Sequence, residues 1–266
     1  MKATIIGAGN IGKALAEGLV ESGAAERSDI TLTRRTANAL DSFASEGFAV
    51  ASDNRAAVAG ADVVFLCILP QQLDAVLDEI VSVLEPQRQL VVSVVTGAHS
   101  NDLRKHLGPE ARIIRAMPNT ALRVKSSMTC LAASGATDKD LQFVQQLFGT
   151  MGTSIVIKEE LMSAATALCA CGIAFFLRSI RAASQGGVEI GFHAQDAIHI
   201  AAQTAMGAAQ LILQNGTHPE EEIDKVTSPK GCTIAGLNEM EHQGLSSAFI
   251  KGIKLSATIA GQLYQK

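Results

Sequence analysis

The chain has 266 residues, 47% hydrophobic and 18% charged, and a formal net charge of −4. That balance supplies a real core and excludes a disordered chain, and without a basic block a nucleic-acid partner is not expected. At this length one large or two moderate domains are expected. Five cysteines without metal-ligand spacing point to a reducing cytoplasm, and six scattered histidines offer no metal site. Cys169 and Cys171, a C-x-C inside an apolar stretch, read as small core residues rather than a redox pair. The chain opens directly on the strand-like M-K-A-T-I-I-G, so no signal peptide is expected. The uncharged run 163–177 is too short to span a bilayer comfortably and reads as a buried helix, so no membrane partner is expected.

In chain order, the apolar runs predict strands over 4–6, 30–33, 49–51, 63–68, 90–94, 112–115 and 128–132. Several are rich in Val, Ile or Leu and end at Gly, Pro or Asn, as buried parallel strands do. Helical patterns lie between them over 11–23, 37–46, 72–83, 101–107 and 138–148. This alternation is the signature of a doubly wound sheet. From about residue 159 long helical patterns take over, at 163–186, 194–214, 233–243 and 246–264. Their small residues, as in A-A-Q-T-A-M-G-A-A, permit close helix approach in a bundle or an intertwined dimer. The fold class is therefore α/β: an N-terminal Rossmann domain over 1–157 with a mostly parallel sheet, followed by an all-α domain over 158–266.

The clearest motif is G-A-G-N-I-G, with Gly7, Gly9 and Gly12 between a strand and a helix. Gly7 suits the tight turn, Gly9 the approach of backbone to a pyrophosphate, and Gly12 close helix–strand packing. The loop residues Gly7, Gly9, Asn10, Ile11 and Gly12 form the dinucleotide-binding set, with the helix N-terminus offering N–H groups to phosphate. An NAD site usually carries Asp or Glu at the end of the second strand, where this chain has Thr33 and Arg34. Arg34 and Arg35 would attract a 2′-phosphate, so NADPH is favoured, with NADH the second candidate.

The stretch V-T-S-P-K-G-C-T-I-A-G-L at 226–237 interrupts the helical half with turn residues. It could simply punctuate two helices. Together with the glycine loop, A-D-V-V-F-L-C-I-L-P-Q-Q at 61–72, I-I-R-A-M-P-N-T at 113–120 and G-G-V-E-I-G at 186–191, it makes the chain resemble the pyrroline-5-carboxylate reductases over nearly its whole length.

The resemblance implies NAD(P)H-dependent reduction of 1-pyrroline-5-carboxylate to proline, as in proline biosynthesis, by a homodimer or higher homo-oligomer joined through the C-terminal helices. It also implies that Asn54 lies near the adenosine phosphate, Leu69, Pro70 and Asn119 near the ribose–nicotinamide end, and Thr166 against the cofactor from the helical side. Ser228 and Thr233 become the residues meeting the substrate and serving catalysis. Lys230, Gly231, Cys232 and Thr233 then surround its carboxylate, with backbone N–H groups at a helix start as donors. A hydroxyl such as that of Thr233 can hydrogen-bond the imine nitrogen, although Thr is also an ordinary N-cap residue.

Several positions depart from the family's usual pattern. S-P-K-G-C-T stands for S-P-G-G-T-T, so Lys230 either binds the carboxylate or crowds it if the replaced glycine needed φ > 0. A-L-C-A-C-G-I-A at 167–174 stands for A-L-S-G-S-G-P-A, which predicts a more regular helix there. Leu69 replaces a common Lys, and V-T-G-A at 95–98 replaces A-G-V. These changes keep two alternatives open: a related NADP-dependent imine or keto-acid reductase with another substrate, and a weakly active NADP(H)-binding sensor.

Overall fold

The computed structural model describes residues 1–35 and 40–264. The chain divides into two compact units: residues 1–171 with the C-terminal stretch from Lys254, and Gly172–Ile253.

The first unit is built on an eight-stranded sheet. Its strands are β1 (Ala3–Ile6), β2 (Ile30–Thr33), β3 (Ala49–Ala51), β4 (Val63–Leu66), β5 (Leu90–Ser93), β6 (Arg112–Met117), β7 (Ser127–Ser134) and β8 (Gly152–Val156), in the order β3-β2-β1-β4-β5-β6-β7-β8. All neighbours are parallel except β6 and β7. The order turns back between β1 and β4, the switch point where α/β sheets open a ligand crevice.

Period-two alternation divides the apolar residues between two faces. Ile5, Val63 and Phe65 join one core with Leu15 and Leu19 of α1 (Asn10–Glu21) and Leu147 and Phe148 of α6 (Asp138–Gly149). Ile6, Val64 and Leu66 join the other, with Leu73 and Leu77 of α4 (Leu73–Ile80) and Leu103 and Leu107 of α5 (Ser100–Leu107). Burial on both faces is why β4 reads V-V-F-L without polar interruption. Each such side chain contributes roughly 1.5–3 kcal/mol through burial.

The predicted strands all form, while β8 was not anticipated. Ile155 and Val156 are half exposed on this edge strand, so its G-T-S-I-V carries no buried-face pattern. Gly152 starts it at φ +142, where a Cβ would overlap the Ser127 backbone. The five-residue helices α2 (Asp41–Ser45) and α3 (Asn54–Val58) lie before and after β3. Of the predicted helix 37–46, residues 37–39 fall outside the described residues.

Beyond β8 the described elements are helical. A short helix, α7 (Met162–Ala165), leads into a π-helical turn over Thr166–Cys171. The regular helix expected over 167–174 is therefore corrected: the substituted segment is wound as a π turn over Thr166–Cys171, with the Cys169 thiol engaged in the polar contacts described below. The second unit holds α8 (Gly172–Glu189), α9 (Ala194–Asn215), α10 (Pro219–Lys225), α11 (Cys232–His242) and the start of α12 (Leu245–Gln262). Gly187 meets Ala197 closely enough that an added Cβ would lie 3.1 Å from the Ala197 Cβ. Although unforeseen, α10 carries helix-start signals, with Pro219 at its first turn followed by Glu220, Glu221 and Glu222.

The expectation of a buried helix over 163–177 also needs correction. The helical run Glu159–Glu189 has 31 residues and a mean hydropathy of 1.8 in its most apolar window, long and apolar enough to cross a membrane by length and composition. Only 33% of that window is buried, and Leu168, Phe176 and Leu177 are exposed. Length and composition alone do not separate a membrane-crossing helix from one covered by another chain.

Candidate active site

The glycine loop forms the turn that its spacing requires. Gly7 sits at φ +96, and a Cβ there would overlap the Cys67 carbonyl at the end of neighbouring β4. The N–H groups of Gly7 and Ala8 both donate to the Thr33 carbonyl, at 3.1 and 3.0 Å, tying the loop to β2. Gly12 lies against the Gly7 carbonyl and Ile5, with no room for a side chain. Gly9 is different: nothing lies within 4 Å of where its Cβ would be. It precedes an α1 N-terminus that no side chain caps, and Asn10 beside it is exposed. Unpaired N–H groups with free approach suit an anion such as a pyrophosphate.

At the end of β2, Thr33 is buried and donates a 2.6 Å hydrogen bond from Oγ1 to Asn54 Oδ1. The Asn54 amide then donates from Nδ2 to Glu79 Oε2 at 2.9 Å. This relay fixes which way Asn54 points. Asn54 opens α3, whose N-cap Asp53 accepts from the Arg55 and Ala56 N–H groups. Arg34 and Arg35 follow β2 as exposed cations, so the position that holds a carboxylate in an NAD site is here a hydroxyl followed by two guanidinium groups.

Leu69 is 65% exposed after β4, and its N–H donates to Gln72 Oε1 at 3.2 Å. Pro70 begins the short 3₁₀ turn that leads into α4. At the end of β6, Asn119 is buried: its Oδ1 accepts from the Ala121 N–H at 3.0 Å, and its Nδ2 donates to the Cys169 carbonyl at 3.3 Å. Thr166 is also buried, and its hydroxyl donates to the Met162 carbonyl at 2.9 Å. That bond ties its side-chain proton to its own helix.

In the second unit, the Ser228 carbonyl accepts from the Gly231 N–H at 2.9 Å, closing a turn over S-P-K-G. Pro229 and Lys230 are its central residues, and Lys230 sits at φ +60. Pro at the first central position and positive φ at the second define a type II turn, in which Gly is the favoured occupant of Lys230's place. A Cβ on Gly231 would overlap the Ser228 hydroxyl. Gly231 is the N-cap of α11 and no side chain caps that helix, so Thr233 stands inside the first turn and is not the capping residue. Ser228, Lys230 and Cys232 are exposed and Thr233 is half-buried.

Comparison with known proteins follows the same two parts. Residues 2–97 match the family described as NADP oxidoreductase coenzyme F420-dependent, and residues 159–263 match pyrroline-5-carboxylate reductase dimerisation. The chain is 46% identical to pyrroline-5-carboxylate reductase 2 of Dictyostelium discoideum, covering 95% of this chain and 90% of that protein. The chain belongs to the pyrroline-5-carboxylate reductase family. It is also 50% identical to pyrroline-5-carboxylate reductase 1 of the same organism over 98% of its own length, and spans about half, 49%, of that relative. A solved pyrroline-5-carboxylate reductase from Coxiella burnetii superposes with a TM-score of 0.90 at 28% identity, covering 100% of this chain and 99% of that one.

Within this family member, the first unit brings together the ends of β1, β2, β4 and β6, and with them the glycine loop, Arg34, Asn54, Leu69 and Asn119. Ser228, Lys230, Gly231, Cys232 and Thr233 gather on one turn and helix start in the second. Sequence reasoning missed Glu79 as the partner of Asn54 and Cys169 as the partner of Asn119. Both contacts join residues far apart in sequence; Glu79 belongs to no motif, and Cys169, which its C-x-C stretch marks only as a small core residue, acts on Asn119 through its backbone carbonyl.

Proposed function

We propose that the protein catalyses NADPH-dependent reduction of 1-pyrroline-5-carboxylate to L-proline, and that it works in the cytoplasm as a homodimer or higher homo-oligomer assembled through its C-terminal helices. The observation that carries this reading is family membership over nearly the whole chain, with both motif regions formed as helix starts free of side-chain caps. The exposed apolar residues of the second unit support an assembly that covers them. A cofactor domain over 1–157 and a helical domain over 158–266 follow the end of the last strand at Val156, whereas the compact units group residues 158–171 and the stretch from Lys254 with the sheet.

The residues fit the cofactor. Open space at Gly9 admits the pyrophosphate to the α1 N-terminus, Asn10, Ile11 and Gly12 supply N–H groups, and Arg34 and Arg35 neutralise a 2′-phosphate. Asn54, held by Thr33 and Glu79, serves the adenosine end; Leu69, Pro70, Asn119 and Thr166 line the ribose–nicotinamide end. NADPH, when bound, supplies the hydride for the carbon of the substrate C=N bond.

The chain's own contribution is chiefly positioning. The N–H groups of Cys232 and Thr233 at the start of α11 bind the substrate carboxylate, and the Lys230 ammonium adds a point charge beside them. The Thr233 hydroxyl donates to the lone pair of the neutral imine nitrogen and accepts from the N–H once the iminium has formed; because that proton can already be present before hydride arrives, no strongly perturbed acid is needed. Ser228 presents a second hydroxyl to the substrate.

Purified protein supplied with NADPH and pyrroline-5-carboxylate tests the reading by the loss of NADPH absorbance. Turnover is expected, with Thr233→Ala lowering kcat/KM by about 10–100-fold, the size of one lost hydrogen bond to a charged group. Tight NADPH binding without turnover would overturn it in favour of a sensor, and turnover confined to a different imine or a keto acid would move the substrate.

A further inference from the structure

We infer that Cys169 is a positioning residue for the nicotinamide end of the cofactor, holding the Met117–Asn119 segment in place through both its carbonyl and its thiol. This rests on the reductase reading above. The segment M-P-N begins at the last residue of β6, at the carboxyl edge of the sheet, where dinucleotides lie in folds of this kind. Met117, Pro118 and Asn119 are all buried.

The polar groups of Asn119 are largely committed to holding shape. Its N–H donates to Ser127 Oγ at 3.2 Å and its Oδ1 accepts from the Ala121 N–H at 3.0 Å. Its Nδ2 donates to the Cys169 carbonyl at 3.3 Å. Asn119 is 7% exposed, so an amide left without that acceptor would lose its bond in a place that water reaches poorly.

Cys169 also grips the two strands flanking this segment. Its Sγ lies 2.8 Å from the Met128 carbonyl on β7 and 3.4 Å from the Met117 carbonyl at the end of β6. A thiol has one proton, and the shorter contact marks Met128 as its acceptor. One residue thus spans the antiparallel pair β6–β7 with its side chain while its backbone holds the Asn119 amide.

The π turn over Thr166–Cys171 is what presents both groups at once. Such turns are rare, shift the hydrogen-bond ladder by a residue, and concentrate at functional sites. Thr166, expected against the cofactor, is the first residue of the same turn. The thiol stands where the family's usual pattern has a serine hydroxyl, so a donor is retained at this position.

The test compares Cys169→Ser, which keeps a donor, with Cys169→Ala and the near-isosteric Cys169→Val, which do not. NADPH affinity is read by fluorescence titration and KM for each substrate by initial rates. Loss of one such bond predicts an about 3–10-fold rise in Kd and KM for NADPH in the Ala and Val variants. KM for pyrroline-5-carboxylate should stay within about twofold, and Cys169→Ser should restore wild-type values. If Cys169→Ala fails to fold, the Val variant decides. Unchanged NADPH affinity in Cys169→Val, or a serine variant as impaired as alanine, would overturn the inference. Wild-type protein that binds NADPH but does not turn over would sink the reductase reading alone, because the titration still reports on Cys169.

Discussion

The Ser228 carbonyl accepts a 2.9 Å hydrogen bond from the Gly231 N–H, and the turn closed by that bond holds Lys230 in the left-handed region at φ +60. A residue with a Cβ costs roughly 1–2 kcal/mol there relative to glycine, so something other than backbone ease keeps a lysine in this place.

Two variants separate strain from charge. Lys230→Gly removes both, while Lys230→Asn removes the charge and keeps a side chain that tolerates positive φ. Both should raise the thermal midpoint, Lys230→Gly by up to about 1 kcal/mol in stability after its larger unfolded-state entropy is subtracted. Both should also raise KM for pyrroline-5-carboxylate by about 2–5-fold, the scale of a charge near a helix terminus. A lower KM in either variant would show that Lys230 crowds the site.

The loop glycines should divide into structural and functional positions. Gly7→Ala forces a Cβ into the Cys67 carbonyl at φ +96 and should destabilise the protein by about 2 kcal/mol or more, read by urea denaturation. Gly9→Ala meets nothing within 4 Å, so its stability should change by less than about 1 kcal/mol. Its NADPH affinity should nevertheless fall at least about tenfold, because the added methyl occupies the pyrophosphate approach. Equal NADPH affinity in Gly9→Ala and wild type would remove Gly9 from the cofactor site.

Arg34 and Arg35 should set the choice of cofactor. Replacing both by serine removes the charge-assisted bonds to a 2′-phosphate and should weaken NADPH binding about tenfold, with NADH affinity little changed. Parallel losses for both cofactors would mean that the arginines do not read the phosphate.

Glu159 gives a pH-dependent prediction. Its partial burial would raise the carboxyl, but the Ser100 N–H at 2.6 Å and the guanidinium of Arg115 at 3.3 Å outweigh this and hold it below its ordinary value. A depressed folded-state value stabilises the protein above the unfolded value of 4.5, and that stability is lost as pH falls through the folded value. Glu159→Gln leaves the buried Arg115 without its charge partner and should cost about 3 kcal/mol at neutral pH. The gap between wild type and variant should close as pH drops below 4.5, and a gap independent of pH down to acid would exclude the ion pair as its cause.

Tyr264 gives a stability prediction. Its hydroxyl donates to Asp74 Oδ1 on α4 at 2.5 Å, and burial followed by that carboxylate pushes its pKa up. Tyr264→Phe should lower stability by about 1 kcal/mol, as measured by thermal melting with activity monitored alongside.

The sheet was legible in the sequence because β1, β4, β5 and β6 are short apolar runs buried on both faces, and the helices between them bury one stripe each. The glycine loop was legible for a related reason, since only glycine fits the backbone at Gly7 and Gly12. At the exposed edge the signal failed: β8 has no face to bury, and α3 is too short to show a period. The π turn at Thr166–Cys171 ran against the expectation of a regular helix, because its shape depends on contacts with β6 and β7 rather than on local propensity.

Local sequence therefore determined which segments become strands, helices and ligand-facing turns, since propensity, period and glycine geometry act over a few residues. Only tertiary structure decided what each site residue leans on: Asn54 on Thr33 and Glu79, Asn119 on Cys169, and Glu159 on Ser100 and Arg115. Those partners lie from 21 to 59 residues apart, from Thr33–Asn54 to Ser100–Glu159. Hydrogen bonds at that separation form only after the chain has paid its loop-closure entropy and packed its core, so no local pattern records them.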